Sequence, residues 1–215
     1  MTARDRILAA IRASLPTPRP AQDAIAAEAA ALLDAPATTR PPLAAPTLAG
    51  AFAAKATALG TTIDAVPDMA AVPDAVRRYL AAQGLTASIA LQPAAALSDL
   101  DWTGIETHAG IAPDEAAALG VADWGIAESG SLVVHSGPQT PVLLSFLPLH
   151  HLVVLHETAL LPHLEDYASR ITGAPQPRNA ILITGPSGTT DIEGSYVRGA
   201  HGPGFLHVIL VTSTG

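Results

Sequence analysis

The sequence predicts an α/β fold, a three-layer sandwich with a mostly parallel sheet, carrying an N-terminal helical arm. Three observations predict it. The second half holds short unbroken apolar runs: Leu132-Val133-Val134, Val142-Leu143-Leu144, Leu152-Val153-Val154-Leu155, Ile181-Leu182-Ile183 and Val208-Ile209-Leu210-Val211. Continuous runs, unlike alternating ones, suit strands covered on both faces. Segments of helical spacing alternate with strands, as in layered α/β domains. Of 44 alanines, 37 lie before Gly120, so the first half should be helical and thinly packed and the main core should come from the rest.

Taken in order, Ile7, Leu8, Ile11 and Leu15 fall at helical spacing over residues 2–15, and Pro16 stops that helix. Pro16-Thr17-Pro18-Arg19-Pro20 reads as a stiff linker, Ala24–Leu33 as a helix, and Pro36 to Pro46 as a second connector. Residues 1–46 are therefore expected to form an arm and 47–215 an α/β domain. In that domain the pattern predicts helices over Leu48–Leu59, Asp68–Gln83, Ala94–Leu100, Pro113–Leu119 and Leu161–Ile171. Gly60, Gly84 and Gly173 supply the stops. Strands are expected over Thr61–Val66, Ala87–Leu91, Ile105–His108 and the five apolar runs.

The 215 residues contain no cysteine and carry a net charge of −8. Disulfides, thiolate nucleophiles and cysteine-ligated zinc or iron–sulfur clusters are excluded. No apolar run approaches the ~20 residues of a membrane span. The acidic balance and scattered Arg argue against a nucleic-acid groove. No HExxH pattern is present, and His151 and His156 fall on opposite faces of a strand, so no metal site is expected. The expected location is cytoplasmic.

Three segments could carry chemistry. In Gly125-Ile126-Ala127-Glu128-Ser129-Gly130-Ser131 a tight turn joins two strands. Glu128 at its lip could serve as nucleophile or base, with Ser129 and Gly130 beside a ligand; spacing alone favours an exposed turn residue. Thr184-Gly185-Pro186-Ser187-Gly188-Thr189-Thr190-Asp191 follows a strand and is expected to open a helix. Gly185, Ser187, Thr189, Thr190 and Asp191 would then offer an anion site, or Thr190-x-x-Glu193 would simply be a capping box. His201, in Gly199-Ala200-His201-Gly202-Pro203-Gly204, could act as acid, base or carboxylate donor, or sit in an ordinary turn.

Together and in this order, these segments resemble the LUD-domain family, in its lactate utilization protein C branch. The likeness is strongest over 121–211. It implies a fold like that of glucosamine-phosphate isomerase, ribose-phosphate isomerase and CoA transferases. It also implies a subunit of an L-lactate utilization system that oxidises L-lactate to pyruvate with iron–sulfur partner proteins, this chain holding no cofactor of its own. Family members commonly carry Arg at the place of Gly188. A small carboxylate or acyl substrate is expected, with Glu128 or His201 as proton acceptor. Two alternatives stand beside this. One is a non-catalytic assembly subunit that grips its partner through the arm. The other is an acyl-CoA transferase or hydrolase using Glu128, by likeness of Glu128-Ser129-Gly130 to the glutamate turn of CoA transferases.

Overall fold

The structure, a computed structural model, describes residues 2–15, 20–35, 39–190 and 192–212. The chain divides into two compact units, Met1–Pro41 and Pro42–Gly215. The first holds α1 (Ala3–Ser14) and α2 (Gln22–Asp34). Helix α1 starts at a reciprocal capping box. The Asp5 N–H donates to Thr2 Oγ1 at 3.2 Å, and the Thr2 N–H donates to Asp5 Oδ2 at 2.8 Å. Its apolar residues Ile7 and Ile11 are exposed. Of the two Pro-rich connectors, residues 16–19 and 36–38 lie outside the described residues.

The second unit is built on six parallel strands: β1 (Thr62–Val66), β2 (Ser88–Leu91), β3 (Glu106–His108), β4 (Ala117–Val121), β7 (His150–His156) and β12 (Phe205–Val211), in the order β1-β12-β7-β4-β2-β3. Helices α4 (Val72–Ala82) and α5 (Ala95–Ser98) cover one face. There Val72, Val76, Tyr79, Leu80 and Leu97 pack on Leu119, Leu152, Val154, Ile209 and Val211. On the other face Ala51, Phe52 and Ala56 of α3 (Leu48–Ala58) meet Val153, Leu155, Val208 and Leu210. Strands β7 and β12 are thus buried on both sides, which is why their sequences are apolar without alternation. The α/β class and the mostly parallel sheet agree with expectation, as do the helix stops at Gly60, Gly84 and Gly173, each at positive φ.

Four local expectations are corrected. First, not all apolar runs enter the parallel sheet. β5 (Trp124–Ile126), β6 (Ser131–His135), β8 (Leu160–Leu161) and β9 (Ala180–Ile183) form a separate mixed sheet, β8-β5-β6-β9. It shares the α3 side, where Leu132 and Val134 join the same core. Gly125 permits this close stacking, because a Cβ there would stand 2.7 Å from Leu155 Cδ2 and 2.8 Å from Leu160 Cδ2. Pairing of Leu160 and Leu161 with β5 also delays α6 to Leu164–Ile171, later than the predicted Leu161.

Second, the alanine-rich helix expected over Pro113–Leu119 is strand β4 from Ala117. Small residues are needed there for packing. Leu144 fills the space beside Ala90 and Ala118, and a Cβ on Gly120 would lie 3.0 Å from Leu144 Cδ2. Tertiary contact overrides alanine's helix propensity. Third, Val142–Ser145 is a 3-10 turn instead of a strand; it brings Leu144 onto β4 and leaves Leu143 exposed. Fourth, the helix expected after Ile183 is absent among the described residues. β10 (Gly188–Thr190) and β11 (Tyr196–Arg198) make an antiparallel hairpin there.

Candidate functional site

Two of the three motif segments converge on the C-terminal turn of α3. Gly130, at φ +69°, lies directly over the helix backbone, with a built Cβ 2.8 Å from Ala56 Cα. Gly185, at φ +77°, lies over Leu59, with a built Cβ 3.1 Å from the Leu59 carbonyl oxygen. Both glycines therefore serve a close approach to the helix, at a positive φ that other residues rarely adopt. Between them runs a chain of hydroxyls: Ser129 Oγ is 2.8 Å from Ser131 Oγ, which is 2.7 Å from Thr184 Oγ1. Ser131 is buried, so this chain satisfies it and ties the β5–β6 turn to the end of β9.

Thr184 opens onto a cleft of about 320 Å³, whose walls include Phe146, Leu182, Gly185, Ser187, His201 and Leu206. Ser187 is fixed by its backbone. Its N–H donates to the Pro203 carbonyl at 2.8 Å, and its own carbonyl accepts from Gly199 N–H at 2.9 Å. Its side chain faces Gly202, where a Cβ would stand 3.4 Å from Ser187 Cβ. These bonds clip the 185–188 loop to the 199–204 loop and place Ser187 and His201 on one cavity. A second hollow of about 650 Å³ shares Phe146, His201 and Gly202 and is edged by Asp114 and Glu115. Both open at the amino edge of the parallel sheet, beside the starts of β7 and β12. Ligands of open α/β sheets more often lie at the carboxyl edge, where His156 ends β7.

The other sequence candidates fall elsewhere. Glu128 Oε1 accepts the Leu164 N–H at 2.7 Å, so the carboxylate caps the first turn of α6. Neither it, Ser129 nor Gly130 lines the cleft. Thr189 and Thr190 pair with Val197 and Tyr196 in the hairpin, so the helix-terminus anion site and the Thr190 capping box are both replaced by strand pairing. Asp191 lies outside the described residues. A Cβ on Gly188 would stand 2.6 Å from Tyr196 Cε2, so a large side chain there requires the tyrosine to move.

Sequence reasoning missed a polar column on the α4 face at the same edge. Arg198 of the hairpin lies 5.1 Å over the Phe205 ring, and Phe205 stacks on His150 with centroids 4.3 Å apart. His150 Nδ1 is 2.9 Å from Tyr79 Oη, and the Tyr79 ring stands 4.4 Å from His207. Burial pushes the Tyr79 phenol up to about 12 and holds His150 below its ordinary value. The available signal was two histidines, His150 and His207, each at or near the start of an apolar strand, where a buried polar side chain requires a partner. Among the described residues no group of three His, Asp or Glu side chains is arranged to hold a metal, and no helix is long and apolar enough to cross a membrane.

Residues 114–211, which supply both loops and the β5–β6 turn, match the LUD domain. That match covers 98 of the chain's 215 residues. Relatives of the chain include the Escherichia coli K12 protein named Uncharacterized protein YkgG, 34% identical over 109 residues, covering 47% of each chain. Another is Lactate utilization protein C of Geobacillus sp. strain WCH70, 34% identical over 105 residues, covering 46% of this chain and 44% of that one. The matched stretch thus spans under half the length of these relatives. A crystal structure of a DUF162 family protein from Deinococcus radiodurans superposes with a TM-score of 0.56 at 23% identity, covering 76% of this chain and 96% of that one. That likeness shows that the two chains share a fold.

Proposed function

We propose that the chain is a subunit of an L-lactate utilization system that takes a small carboxylate into the amino-edge cleft. The observation that carries the reading is the convergence of Ser187 and His201 on that one cleft, clipped together by the Ser187–Pro203 bond. The naming of a relative as Lactate utilization protein C supplies the substrate class. Ser187 donates its hydroxyl to the carboxylate, and His201 exchanges the proton; the acid–base role falls to His201 because Glu128 is engaged at Leu164. Oxidation of L-lactate to pyruvate releases two electrons and two protons. In this reading His201 takes the hydroxyl proton, solvent takes the other, and both electrons pass to an iron–sulfur partner, in keeping with a chain that has no cysteine to bind a cluster.

The test is growth on L-lactate of a strain whose own copy is replaced by Ser187→Ala or His201→Ala, at unchanged protein level. Loss of an acid–base group lowers turnover by roughly 10²-fold or more, so His201→Ala is expected to abolish growth; full growth with both variants overturns the pocket. Glu128→Ala serves as the contrast. Loss of the α6 cap is expected to cost about 1 kcal/mol of stability while lactate growth persists, and an inactive but fully stable variant would restore Glu128 as the reacting group.

The assembly reading draws on α1, whose exposed Ile7 and Ile11 form an apolar stripe. The arm then straps the iron–sulfur partner. Deleting residues 1–41 should abolish co-purification from lactate-grown cells, and retained co-purification would remove this role.

A further inference from the structure

We infer that the chain has a second ligand site, separate from the amino-edge cleft, built to take a small oxyanion such as a carboxylate or a phosphoryl group. It is a hollow of about 470 Å³ at the open end of the β6–β9 pair, and its lining includes Ser136, Gly137, Thr140, Arg178 and Asn179. None of its lining residues belongs to the cleft.

The polar groups of this hollow are arranged as donors. Ser136 and Asn179 continue the β6–β9 ladder by one rung, with Ser136 N–H donating to the Asn179 carbonyl at 2.9 Å. In return the Asn179 N–H donates to Ser136 Oγ at 2.9 Å. The Ser136 hydroxyl therefore already accepts, and its own proton is left to donate outward. Thr140 is prepared in the same way. Gly137 and Thr140 close a tight turn through reciprocal backbone bonds of 3.3 and 3.0 Å. The buried amide of Gln92 then fixes the hydroxyl. Val121 N–H donates to Gln92 Oε1 at 2.9 Å, which orients the amide so that Nε2 donates to Thr140 Oγ1 at 3.2 Å. The Thr140 proton is likewise left free.

Arg178 supplies the charge. Among the described residues it forms no ion pair, and no carboxylate lines the hollow. In a chain with 19 acidic and 11 basic residues, a cavity whose one charged side chain is a guanidinium selects for anions. The planar fork of arginine matches two oxygens of one carboxylate or phosphoryl group, and two hydroxyl donors complete the cradle.

The test is calorimetric titration of the full chain with inorganic phosphate and, separately, with L-lactate, repeated on Arg178→Ala. At least one anion should bind saturably and lose tenfold or more in affinity in Arg178→Ala; which anion does so tells a phosphoryl ligand from a carboxylate. Thr140→Val should weaken the same anion several-fold. Arg170→Ala, which removes a surface cation of α6, should leave it unchanged. Absence of saturable binding by either anion, or equal affinities in the parent chain and Arg178→Ala, would overturn the site.

Discussion

Gly130→Ala is expected to destabilise the α/β unit by about 3 kcal/mol, as left-handed backbone strain of about 1 kcal/mol adds to overpacking of about 1–3 kcal/mol. The position is at φ +69°, and the added methyl would meet the backbone of Ala56 and Lys55 in α3, not the tip of a yielding side chain. Relief requires α3 to move away from the β5–β6 turn, which would loosen Phe52, a fully buried side chain between α3 and the sheets. Gly84→Ala isolates the strain: its φ is +67° and nothing lies within 4 Å of the new methyl, so it should cost about 1 kcal/mol. Urea denaturation of both variants checks the comparison. Equal losses would show that the turn does not press on α3. Because Gly185 packs on the same helix at Leu59, Gly130→Ala should also weaken ligand binding in the amino-edge cleft.

The same two glycines mark how much of the site was legible. A glycine after a strand announces a turn or loop, and the sequence marked Gly130 as a point of close approach and Gly185 as part of a candidate anion loop. It could not say that α3 is what approaches them, because Ala56 and Leu59 are over 70 residues away along the chain. Ser187 and His201 could be read as loop residues flanked by glycine, and the structure brings them to one cleft. Glu128 could not be assigned in this way, since its partner, the N–H of Leu164, belongs to a helix whose start depends on Leu160 and Leu161 pairing with β5. The fold shows the same division. Strands β7 and β12 announce themselves by unbroken apolar runs, because burial on both faces is a local compositional demand. Strand β4 does not, since Ala118 and Gly120 are small to admit Leu144 from a distant turn. Which sheet a strand joins is likewise not written in its own residues: Leu132-Val133-Val134 and Leu152-Val153-Val154 look alike and enter different sheets.

Buried histidines should set the acid limit of the fold. His151 is fully enclosed on the face of β7 toward the second sheet, and its Nδ1 has no hydrogen-bond partner among the described residues. His207 sits beneath Tyr79 with Nδ1 2.8 Å from Thr62 Oγ1. Burial pushes both imidazoles down to about 4 from an ordinary 6.5, outweighing at His207 the upward pull of Asp64. Between pH 6.5 and about 4 the unfolded chain binds protons that the folded chain refuses. Stability is therefore full above pH 6.5, falls as pH falls through that window, and stops falling from this cause below it. Each histidine contributes at most about 3 kcal/mol of loss, with a slope of up to about 1.4 kcal/mol per pH unit. The slope is the useful readout, because carboxylates add their own acid dependence and because any replacement changes absolute stability. His151→Gln and His207→Gln should each flatten the dependence of unfolding free energy on pH by up to one proton between pH 4.5 and 6. A slope unchanged in both would mean that these imidazoles accept protons in the folded state and that the polar column and the His151 pocket are open to water.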